Sequence, residues 1–111
     1  MKQLNTIYLK AGEKALKPQW VGLEAGAYFE IPKGDDGVLL CLTANEGGYA
    51  YVRKGDGPMA GNDLAVSIGT DQEIFVYLES GRFMQTKGEN KGRILVDSNG
   101  YEMSACVVQL V

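Results

Sequence analysis

The residues able to do acid–base or covalent chemistry are few, and their spacing works against most of it. The chain of 111 residues contains no histidine, which removes the usual general base at neutral pH and the commonest metal ligand together. Ser80, in the run Glu79-Ser80-Gly81-Arg82-Phe83, therefore has no imidazole to activate it, and no lysine stands at a useful spacing to substitute. Asp35-Asp36 could offer oxygens to a hard cation, but the D-x-D-x-D-G order of a calcium loop is missing, so a solvated turn is the simpler reading. Gly55-Asp56-Gly57-Pro58-Met59-Ala60-Gly61 spaces its glycines as GxGxxxG and runs on into a strand-like segment. No helix N-terminus follows to hold phosphate, and the segment reads as a long hairpin loop. Glu24, Glu30, Glu73 and Glu79 are spread over separate strands or turns, which neither builds nor forbids the carboxylate pair of a glycosidase. The expectation is a protein that is not an enzyme, with no catalytic residue, metal, cofactor or small-molecule substrate.

Two groups of side chains remain. Cys41 and Cys106 each sit inside an apolar run, where free buried thiols are expected over a disulfide. Among the aromatic residues, Trp20, Tyr28, Tyr49, Tyr51, Tyr77 and Tyr101 could serve a sheet in three ways: cross-strand packing, a protein interface, or a sugar-stacking platform. Tyr49 and Tyr51 share one face of a strand under the two-residue period.

The elements that must position these residues are strands. Segments with strand character run over Leu4 to Leu9, Leu16 to Leu23, Ala27 to Ile31, Val38 to Thr43, Tyr49 to Arg53, Leu64 to Ile68, Glu73 to Leu78, Arg93 to Val96 and Met103 to Leu110. Between them stand the turn formers Lys33-Gly34-Asp35-Asp36-Gly37, Asn45-Glu46-Gly47-Gly48, Gly55-Asp56-Gly57, Gly61-Asn62-Asp63 and Ser98-Asn99-Gly100. Asn99-Gly100 reads as the strongest hairpin turn, joining Arg93 to Val96 with Met103 to Leu110. The one helical candidate, near Ala11 to Leu16, is interrupted by Gly12 and stopped by Pro18, which leaves a single turn at most.

These signals predict an all-β fold: one compact domain over residues 1–111, an antiparallel sandwich or barrel of jelly-roll type. About eight or nine short strands with little or no helix are expected. An immunoglobulin domain is disfavoured, because Trp20 lies before both cysteines and not between them. Leu64, Val66 and Ile68 alternate with Ala65 and Ser67, as in a strand with one face on a core. By contrast Val38 to Leu42, Ile74 to Leu78 and Ala105 to Val108 are apolar on both faces. Such strands need cover on both sides, either from a folded-over loop or from another chain, and self-association as a dimer or trimer would supply it.

A net charge of −3 with 14 acidic and 11 basic residues speaks against nucleic acid, which requires a basic face. No run of 18 apolar residues and no signal-peptide core occurs, so the expectation is a protein made in the cytoplasm, soluble, with no membrane partner.

One ordered series goes further. Gly61-Asn62-Asp63-Leu64-Ala65-Val66-Ser67-Ile68 is followed by Leu78-Glu79-Ser80-Gly81-Arg82-Phe83, then Asn90-Lys91-Gly92, then the closing strand Ala105-Cys106-Val107-Val108. Over residues 38 to 111 this resembles the capsid decoration, or cement, proteins of tailed bacteriophages, with their glycine-rich loop, "DL.V.V" strand, "LESGRF" corner and "NKG" turn. The first third is only generically similar, and Trp20 lies outside the pattern. What the resemblance implies is a virion protein, made in the host cytoplasm, that binds the outside of the major capsid protein shell after expansion and reinforces it. Arg82 and Phe83 are then the first interface candidates, with Tyr49, Tyr51 and Trp20 behind them. A competing reading has Phe83 plugging the end of the sandwich while Arg82 pairs with Glu79. The functional alternative is a carbohydrate-binding accessory domain carried by the tyrosines and Trp20.

Overall fold

Alternation of side chains along extended segments divides this chain between an inner and an outer face. The computed structural model describes residues 1–10, 12, 19–31, 37–55, 64–99 and 102–110. Ten short strands lie among them: β1 (Lys2–Gln3), β2 (Thr6–Leu9), β3 (Val21–Gly22), β4 (Ala27–Glu30), β5 (Gly37–Ala44), β6 (Gly48–Val52), β7 (Leu64–Ile68), β8 (Glu73–Glu79), β9 (Arg93–Ser98) and β10 (Met103–Leu110). A single helical turn, α1 (Ser80–Phe83), follows β8. One sheet runs β1-β4-β9-β6-β7, the other β2-β10-β5-β8, with β3 also paired to β10. The fold is an all-β sandwich.

Both sheets are mixed, where sequence reading expected antiparallel ones. β1 lies parallel to β4 and β2 parallel to β10. The chain changes sheets between these two strands. The Leu4 amide donates to the Tyr28 carbonyl in the first sheet, while the Asn5 carbonyl accepts from Val107 in the second. That crossing splits the expected Leu4 to Leu9 strand, and it turns Leu4 into the core.

Among the described residues only one pair of consecutive strands, β6 and β7, is hydrogen-bonded as a hairpin. The hairpin expected at Asn99-Gly100 does not form, because β9 and β10 belong to different sheets. Asn99 is instead held by β6, its amide donating to the Tyr49 carbonyl at 3.2 Å, while Asn45 donates through its amide and its side chain to Glu102. The chain passes from one sheet to the other between β9 and β10. A similar crossing at Asn45-Glu46-Gly47 uses Gly47 at φ +79°, which L residues with a Cβ rarely adopt.

Some expectations fall outside the described residues: the helical turn near Ala11 to Leu16, the start of the Leu16 to Leu23 strand, the Asp35-Asp36 turn, most of the Gly55 to Gly61 loop, and Tyr101. Of the strand expected over Leu16 to Leu23, residues 19–23 are described, and within them only Val21–Gly22 is strand.

The core lies between the sheets, where Phe29, Ile94 and Val96 from one meet Leu40, Leu42, Leu78, Met103 and Val107 from the other.

Candidate functional site

The three strands that are apolar on both faces turn out to be neighbours, in the order β10-β5-β8. Their inner residues, Val38, Leu40, Leu42, Leu78, Ala105 and Val107, build the core. Paired residues of neighbouring strands share a face, so the register defines what lies outside. Val108 stands opposite Leu39, which stands opposite Tyr77, and one step along Cys106 stands opposite Cys41, which stands opposite Phe75. The outer surface of this sheet is therefore one continuous apolar field two rows deep.

Its cover is uneven. Cys41 and Cys106 are buried, and Leu39 and Val108 are half-buried. At the sheet edge Phe75 is 62% and Tyr77 60% exposed, the most exposed large apolar side chains on any described strand. The hydroxyl end of Tyr77 reaches toward Gly37, where a built Cβ would stand only 2.6 Å from it. Glu73 and Glu79 close the row at the two ends of β8.

The two thiols are free and directly opposed across β5 and β10. Hydrogen bonding to Cys106, then burial, raises the Cys41 thiol far above its usual range, while the same bond lowers Cys106 against burial and Glu73.

A second outer surface lies on the other sheet. Tyr49 and Tyr51 project from β6 with ring centroids 6.4 Å apart and planes 22° from parallel. Arg53 pairs with Asp97 at 3.8 Å; Arg93 lies 4.0 Å over the Tyr28 ring and 3.6 Å from Glu30. Leu95 is buried at the centre of this field. The surface is aromatic but threaded with charge.

The residues singled out from sequence do not converge on one site. Tyr49 and Tyr51 come together, whereas half-buried Trp20 precedes β3 on the opposite sheet. Arg82 is exposed and lies 3.5 Å from Glu79. Phe83 is not a surface residue: only 6% exposed, it packs into the core as α1 turns it inward between the sheets. The helical turn does this by a Met84 amide donating to the Ser80 carbonyl at 3.0 Å, and Gln85 beyond it donates to the Gly55 carbonyl. Among the described residues no group of three or more His, Cys, Asp or Glu could hold a metal ion.

No family model, curated protein or solved structure matches this chain.

Proposed function

We propose that this domain is a structural virion protein that binds the outer surface of a major capsid shell and stabilises it. The observation that carries the reading is the continuous apolar field of β10-β5-β8, with Phe75 and Tyr77 more than half exposed at its edge. Large aromatics presented on a rigid sheet lose little freedom on docking and are enriched among residues that dominate binding energy. The series from the glycine-rich loop to Leu78-Glu79-Ser80-Gly81-Arg82-Phe83 supports the capsid as the partner through its likeness to decoration proteins. A domain that binds the assembled shell and not its free subunits shifts the assembly equilibrium by mass action, and copies that bridge neighbouring capsomers add avidity.

Co-sedimentation with purified capsids tests this. Binding to expanded shells and not to unexpanded ones is the expected result. Phe75→Ser and Tyr77→Ser should each weaken it about thirtyfold, the loss typical of a buried aromatic anchor, with the circular dichroism unchanged. Full binding by the double variant would remove this face from the proposal.

The Tyr49–Tyr51 pair, with Arg53, Asp97 and Tyr28 beside it, favours a second reading, carbohydrate binding on the opposite face. Glycan-array binding lost in Tyr51→Ala would support it, and an array with no signal would dismiss it.

A further inference from the structure

We propose that β8 is a self-complementary edge through which two copies of this chain join into a two-fold dimer. The inference concerns the free protein and does not depend on capsid binding.

β8 pairs with β5 along one side and, among the described residues, with no strand along the other. Natural edge strands are blunted by lysine, proline, bulges or inward-pointing charge. The interior of β8 has none of these: between Glu73 and Glu79 it reads Ile74-Phe75-Val76-Tyr77-Leu78. Ile74 and Val76 also remain only partly buried, although they face the core. An apolar, uncharged edge of this length is a template for uncontrolled pairing unless a defined partner occupies it.

The residue types identify that partner, because they are symmetric about Val76. Antiparallel pairing of β8 with itself about this position sets Phe75 opposite Tyr77 of the second copy on the outer face. On the inner face it sets Ile74 opposite Leu78 of the second copy and Val76 opposite its own counterpart. A two-fold interface requires such self-complementarity, and cross-strand aromatic pairs are favourable. The pairing is closed, so both edges are consumed at once, and the two apolar outer fields merge into one across the axis.

Charge sets the one opposing contact. Glu73 comes opposite Glu79 of the second copy at each end, and like charges so placed repel. Arg82 already stands 3.5 Å from Glu79 and remains mostly exposed, so each end brings one guanidinium to two carboxylates. A second copy therefore fits, at a strength that the charges at position 73 should control.

Sedimentation equilibrium of the purified protein from micromolar to hundred-micromolar concentration is the test. The wild type should show a monomer–dimer equilibrium, Phe75→Lys should be monomeric, and Arg82→Glu should dissociate more readily. Glu73→Lys decides the matter, since it replaces both repulsive contacts by attractive ones and should tighten the dimer roughly threefold to tenfold. A monomeric wild type overturns the proposal. So does a dimer that Glu73→Lys weakens, the result expected if the edge is built for a basic strand of another protein. Capsid co-sedimentation of the same variants reports separately on shell binding.

Discussion

At the scale of single residues, the molecule separates two phenylalanines that look alike in the sequence. Phe83 lies in a run that invites functional reading, yet α1 turns it into the core, while Phe75 lies in an unbroken apolar run and points to solvent. Removing a buried phenylalanine forfeits its transfer free energy and leaves a cavity. Phe83→Ala should therefore cost about 3–5 kcal/mol, read as a lowered urea midpoint, with no capsid-binding defect beyond the loss of folded protein. Arg82→Ala, which removes an exposed ion pair from the same turn, should change stability by less than about 0.5 kcal/mol. The cysteines give a third check. Both are buried and opposed across β5 and β10, so in the native protein alkylation should proceed only through opening of those strands, at the rate of local unfolding. Rapid labelling of the folded protein at pH 8 would mean that the outer field is open at its centre.

At the scale of elements, what the sequence displays well is alternation, and what it hides is partnership. β7 is legible because Ala65 and Ser67 mark its solvent side, and the strand stands where that pattern predicts. β8 is legible as a strand, but with apolar residues at both parities nothing in Ile74-Phe75-Val76-Tyr77-Leu78 says which set faces in. Its register with β5 decides, with Leu78 opposite core Val38 and Phe75 opposite Cys41, and its place at the sheet edge leaves Phe75 and Tyr77 with no further strand beside them among the described residues. Likewise Asn99-Gly100 has hairpin chemistry, but the chain passes from one sheet to the other between β9 and β10, and the pairing of Asn99 with Tyr49 marks the difference. The turn Ser80–Phe83 escaped sequence reading because Gly81 depresses helix propensity inside so short a segment. That glycine has ordinary backbone angles, and a Cβ built on it meets nothing within 4 Å. Gly81→Ala should consequently stabilise the domain by about 0.4–1 kcal/mol by restricting the unfolded chain. A destabilised variant would show that the turn needs more freedom than its geometry displays.

At the scale of the whole molecule, the two sheets offer surfaces of different physical character, and solution conditions can tell which one meets the shell. The outer field of β10-β5-β8 is apolar, with charge confined to Glu73 and Glu79 on β8, whereas the opposite field carries Arg53, Asp97, Arg93 and Glu30 among its tyrosines. Salt screens contacts between exposed charges over a Debye length of about 10 Å at 0.1 M and about 3 Å at 1 M. Apolar burial is not weakened by that screening, and sulfate strengthens it. Attachment through Phe75 and Tyr77 should therefore change little, by no more than about threefold, between 0.05 and 0.5 M sodium chloride, and should improve in ammonium sulfate. Attachment through the charged tyrosine field should instead fall steeply over the same range. A salt series of capsid co-sedimentation, run with wild type, Phe75→Ser and Tyr51→Ala, separates the two because each variant removes an anchor from one sheet only. If the Tyr51→Ala variant loses binding while Phe75→Ser keeps it, the docking surface is the opposite sheet and the apolar field is left for contacts between copies.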